Sequence, residues 1–117
     1  MKASDLRIGN VVGVCYEKNF MPDEVVVLEP GVVHLSKREY PDSDRDIVGV
    51  PLKENWLRKL DFSFNSILDR WELENIIIKK LFIKSVCYWV WQSKAGIMKI
   101  DFVHELQNLI HILRQVN

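Results

Sequence analysis

The rhythm of apolar and polar positions changes three times along this chain. Val11–Tyr16 is mostly β-branched or aromatic and follows the turn-prone pair Gly9-Asn10, which predicts a strand. Residues 24–28 and Val32–Leu35 predict two more, parted by Pro30-Gly31, and residues 47–50 a fourth. Between them, residues 36–46 are polar and charged around Pro41 and predict a surface loop. Short strands around tight turns predict a small, strongly bent, SH3-like sheet over residues 1–50. A helical spacing then appears at 51–60, where Leu52, Trp56, Leu57 and Leu60 fall on one side behind Pro51.

Strand character returns after Phe62-Ser63-Phe64. Residues 71–100 read as an antiparallel β-meander: Trp71 and Leu73 alternate with Glu72 and Glu74, and the isoleucines 76–78 and the run 81–83 flank Lys79-Lys80. Residues 86–92 and 97–100 flank Ser93-Lys94-Ala95-Gly96, a hairpin connection. The last segment is helical in period. Phe102, Leu106, Leu109, Ile110, Leu113 and Val116 cluster on one side, and His104, Asn108, His111 and Gln115 fall within about 60° on the other. Asp101 precedes the run, where an oxygen acceptor can cap free N–H groups. The expected architecture is a single α+β domain over 1–117. Residues 1–50 form its β-rich unit; residues 51–117 supply the short helix, the meander and a C-terminal amphipathic helix packed on the sheet.

Composition narrows the class. The 117 residues are 48% apolar and carry 16 basic and 16 acidic side chains, so no global field drives the chain onto nucleic acid or an anionic membrane. Cys15 and Cys87 are 72 positions apart and form no CxxC pattern; two isolated thiols suit a reducing, cytoplasmic compartment. The N-terminal residues lack the apolar stretch of a signal peptide, and the longest apolar run, 86–91, is far short of a membrane span.

The candidate chemistry is incomplete at each place it begins. Asp42-Ser43-Asp44-Arg45-Asp46 opens like a calcium loop, but Ile47 and Lys53 stand where the glycine and the bidentate glutamate belong. His104-Glu105-Leu106-Gln107-Asn108 opens like HExxH, but Asn108 replaces the second imidazole, and His111 lies about 10.5 Å along the helix from His104. His34 has no ligand neighbour at the right spacing and reads as structural. There is no GxSxG elbow and no phosphate-binding loop, and neither cysteine is flanked by a basic cluster, so both are expected buried in strands. The sequence therefore predicts a non-enzymatic chain with no metal and no cofactor.

Two features suggest contact with other molecules. Strand alternation places Cys87, Trp89 and Trp91 on one face, and the neutral stripe His104, Asn108, His111 and Gln115 loses less on desolvation than ions do. Trp89, Trp91, His104, Asn108 and His111 are accordingly the expected contacts for a protein partner or for self-association. The alternative is a single-stranded nucleic-acid surface made by Lys79, Lys80, Lys84, Trp89, Trp91 and Lys94. It draws support from the charge split, since residues 1–50 hold 6 bases against 9 acids and the rest hold 10 against 7.

Three motifs carry a family resemblance. Asp5-Leu6-Arg7-Ile8-Gly9-Asn10-x-Val12, then Pro51-Leu52-x-Glu54-x-Trp56-Leu57-x-Lys59-Leu60 followed by Phe62, and Val103-His104-x-Leu106-Gln107-Asn108-Leu109 together resemble a family of small uncharacterised proteins from gut-bacterial and phage genomes. Lys53 departs from it, standing where that family has a capping threonine, and His111 stands where it has an aromatic residue. The resemblance implies an accessory protein of a phage or mobile element and assigns no catalytic residue.

Overall fold

The computed structural model describes residues 3–16, 19–29, 32–36, 39–41 and 47–115. The protein is α+β, with two antiparallel five-stranded sheets and two α-helices among the described residues, and it divides into two compact units: Met1–Val50 with Phe102–Asn117, and Pro51–Asp101. The C-terminal helix, which sequence grouping placed with the meander, thus belongs with the N-terminal strands.

In the first unit, β1 (Val11–Tyr16), β2 (Asn19–Glu29), β3 (Val32–Leu35) and β4 (Glu39–Pro41) form a meander, and β5 (Ile47–Gly49) returns beside β1. The order β4-β3-β2-β1 follows from short connections between consecutive antiparallel strands, and β5 pairs back onto β1 at Val12, Gly13 and Val14. β2 is eleven residues long and serves both halves of the sheet, pairing with β1 up to Glu24 and with β3 from Val25 onward. A register shift between Val25 and Val27 bends it at the junction, as a bulge does. The core combines Leu6, Val12, Val25, Val33, Leu35 and Ile47, as the alternation along each strand requires. Gly9 has φ of +94°, so the turn before β1 needs a residue without Cβ.

Against β1 packs α2, the helix Val103–Gln115. Its buried positions are Val103, His104, Leu106, Leu109 and Ile110. This corrects the expected stripe: Phe102 is exposed and lies before the helix, Val103 is fully buried in its place, and His104 has turned inward. Glu105 caps the start, its Oε1 accepting a hydrogen bond from the Phe102 N–H at 2.9 Å.

In the second unit, a six-residue helix α1 (Glu54–Lys59) precedes β6 (Ser63–Asn65), β7 (Arg70–Leu73), β8 (Ile76–Ile83), β9 (Val86–Ser93) and β10 (Gly96–Ile100), paired in chain order. Lys53 occupies the N-cap without a side-chain cap bond, which accounts for a helix beginning three residues after Pro51. The other end is closed by the N–H groups of Asp61 and Phe62 bonding to Arg58 O and Leu57 O, with Asp61 at φ +71°. Lys79 and Lys80 do not interrupt the apolar triplets: 76–83 is one strand, in which the isoleucines' β-branched preference prevails. The turn Lys84-Ser85 has positive φ at both residues, matching the twist of the strands it joins. Leu52, Leu57, Phe62, Trp71, Ile76, Ile78, Val90 and Ile100 are the buried apolar residues that anchor this unit. Among the described residues no helix is long and apolar enough to cross a membrane.

Candidate functional site

The register of the second sheet decides what its aromatic side chains can do. Phe64, Trp71, Ile78, Trp91 and Met98 are directly opposite one another across five strands, and Lys80, Trp89 and Ile100 form the next row on the same face. Trp89 and Trp91 are therefore neighbours, as alternation predicts, and both are half-buried. The face of Trp89 is already engaged: Lys80 Nζ lies 5.1 Å from its ring centroid and 2.6 Å from Glu54 Oε1. That ion pair and hydrogen bond hold the Glu54 carboxyl below its ordinary range and raise the Lys80 ammonium above its own.

Beside this row an open groove of about 680 Å³ is lined by Leu52, Glu54, Arg58, Cys87 and Trp89, among others. Cys87 is exposed, as is Cys15, which corrects the expectation that both are buried. The reason for Cys87 is local: β10 stops pairing at Trp89, so no strand covers residues 86–88 on that side. No histidine among the described residues lines the groove, and its Glu54 carboxylate is held by Lys80.

The six positions nominated for nucleic acid do not share one surface. Lys79 pairs with Val90 on the face opposite to Lys80, Trp89 and Trp91. Lys84 and Lys94 lie in turns at opposite ends of β9, about 26 Å apart along an eight-residue strand.

The feature that sequence reasoning missed is the far end of the β8–β9 hairpin. On β8 the pairing with β7 ends at Ile78, and on β9 the pairing with β10 ends at Trp89, so β8 has an open edge from Lys79 onward and residues 81–88 form a two-stranded arm beyond the sheet. Phe82 pairs with Cys87 on one face and Ile83 with Val86 on the other. Phe82, Ile83 and Val86 are 71%, 49% and 48% exposed. An arm apolar on both faces is unusual, because a soluble ribbon ordinarily keeps one face polar. The apolar pattern was visible in the sequence. What removed its cover was strand length, β7 having four residues against eight in β8.

In the first unit, half of the neutral helix stripe, His104 and Asn108, is taken up internally. Asn108 Oδ1 accepts a hydrogen bond from Asn10 Nδ2 at 2.9 Å, and Asn108 Nδ2 donates to Asp5 O at 3.2 Å. Gln107 Oε1 accepts from the Val11 N–H at 2.8 Å while its Nε2 donates to Gly9 O at 3.1 Å. Asn10, itself buried, accepts from the Arg7 N–H at 2.7 Å. The first and third resemblance motifs therefore meet as a polar clasp that satisfies backbone groups of the turn before β1. His104 is 7% exposed and stacks on Phe102 with ring centroids 5.8 Å apart. Burial pushes its pKa below the ordinary imidazole value, against the opposing pull of Glu105 and Asp5. Of the nominated stripe only His111 and Gln115 remain exposed.

No protein-family model, curated protein or solved structure matches the chain. His34, in β3, places Nε2 3.2 Å from Glu29 Oε2, and among the described residues no three His, Cys, Asp or Glu side chains converge on a metal position. The acidic run 42–46 lies outside the described residues.

Proposed function

We propose that this chain is a non-enzymatic protein-interaction protein, acting in the cytoplasm as an accessory of a bacterial mobile element or phage. The observation that carries the interaction reading is the β8–β9 arm, with Phe82, Ile83 and Val86 exposed on both of its faces. Burying such side chains against a partner is favourable by about 25 cal/mol per Å² of apolar surface, and a two-stranded ribbon gains order in doing so. The groove at the arm's root, with Trp89 beside it, extends the contact region. The phage or mobile-element setting rests on the three-motif resemblance, and the cytoplasmic assignment on two free, exposed thiols. Single-stranded nucleic acid is the weaker reading, since Trp89 is covered by Lys80 and the remaining lysines are dispersed over two faces and two ends of the meander.

A photo-crosslinking residue at position 82 tests this in the producing cell, with position 112 on the exposed side of α2 as control. The expected result is a discrete protein adduct at 82 and none at 112. Equal labelling at both sites, or adducts to nucleic acid only, would refute the reading.

A further inference from the structure

We infer that the arm captures an extended, acidic segment of its partner by adding it as a strand along the free edge of β8. This rests on the interaction reading above and specifies its chemistry. Along residues 79–83 the outward backbone N–H and C=O groups of β8 face no strand among the described residues, because β7 ends its pairing at Ile78. Such an edge is a template for strand addition, in which main-chain hydrogen bonds supply affinity and alternate side chains supply choice. The side chains beside that edge alternate Lys79, Leu81, Ile83 on one face with Lys80, Phe82 on the other.

Charge decides what the incoming strand carries. Residues 79–88 contain three lysines and no carboxylate. Glu54 neutralises Lys80, while neither Lys79 nor Lys84 has a carboxylate within salt-bridge range among the described residues. An added segment with an acidic residue at each end of an apolar run would place carboxylates beside Lys79 and Lys84 and apolar side chains beside Leu81, Phe82 and Ile83. The same count argues against a second copy of the arm. Two-fold pairing would bring four unneutralised lysines together, Lys79 and Lys84 of each copy, with no acid in the arm to offset them. The apolar area of Phe82, Ile83 and Val86, on the order of 300 Å² per copy, would give well under half of the roughly 800 Å² that each partner buries in a standard interface.

The test titrates the intact protein with a short synthetic peptide that carries glutamate at both ends of a valine run, and with its lysine-ended counterpart, while following backbone amide resonances. The expected result is shifts confined to residues 79–88, with the acidic peptide binding at least about fivefold more tightly and losing that margin in high salt. Exchanging both charges, Lys79→Glu with Lys84→Glu, should reverse the preference, and Phe82→Ser should weaken binding of either peptide. Shifts elsewhere, indifference to peptide charge, or a wild-type dimer in light scattering with the arm amides protected would each overturn the inference. Should the peptides fail while crosslinking at position 82 still yields a discrete protein adduct, strand addition falls and the interaction reading stands; loss of the adduct removes both.

Discussion

Gln107 offers a direct way to weigh the clasp between the C-terminal helix and the N-terminal turn. Its amide accepts from the Val11 N–H and donates to the Gly9 carbonyl, so Gln107→Ala leaves one backbone donor and one acceptor without their partner. A fully sealed unsatisfied group costs about 1–3 kcal/mol; these are part-buried, so about 1 kcal/mol each is the appropriate figure and the variant should lose about 2 kcal/mol. Gln107→Glu is the sharper perturbation. It keeps the acceptor for Val11 but turns a carboxylate oxygen toward the Gly9 oxygen, where protonation would restore a donor. The introduced carboxyl should therefore have a raised pKa in the folded state, and its destabilisation should shrink as pH falls. The assay is urea unfolding followed by far-ultraviolet circular dichroism beside tryptophan fluorescence. All four tryptophans, Trp56, Trp71, Trp89 and Trp91, lie in the second unit, so fluorescence alone would not report on the clasp. A Gln107→Ala variant within about 0.5 kcal/mol of wild type, or a Gln107→Glu variant indifferent to pH, would refute the idea that these bonds matter to stability.

Other outcomes follow from the same geometry. His104 titrates below its ordinary value of 6.5 because it is buried, so the unfolded chain takes up the proton first. Stability should be fully present above that value and decline as pH falls below it, a slope that His104→Gln should flatten in pH-dependent unfolding. Gly49→Ala would set a Cβ 2.5 Å from Phe102 Cγ and displace the ring that stacks on His104; about 1–3 kcal/mol should be lost. A double-mutant cycle with Phe102→Ala should recover most of that loss, and simple additivity would show that the ring is not the obstacle. Finally, Cys15 and Cys87 are both exposed, so two thiols should react with a disulfide reagent in the native state. A single reactive thiol would contradict the exposure of one of them.

Much of the fold could be read locally. The strand positions around Val12, Val25 and Val33, the hairpin at Lys94-Ala95 and the α2 period all come from residue choice within a few positions. The finer errors have physical causes. Phe102 has the period of a helix residue, yet helix α2 begins after it and its ring lies over Gly49, a contact fifty-three positions away that no window along the chain can register. His104 looked like part of a solvent stripe because its neighbours at helical spacing are polar, but Asn108 and Gln107 face the Asp5–Asn10 turn, and burial followed them. Cysteine's usual preference for burial did not hold at Cys87, where the covering strand ends one turn of the pleat too soon.

Residue order by itself determined the class of structure: periods of two and 3.6 residues, turn chemistry and an apolar share sufficient for a core fix strands, hairpins and helix, because each depends on dihedral preference and burial along a short segment. The tertiary structure alone decided which polar groups are consumed and which apolar ones are left over. The clasp joins residues ninety-eight apart, and the arm exists because neighbouring strands differ in length; both are properties of what lies alongside in space, and backbone hydrogen bonds and buried area are settled only there.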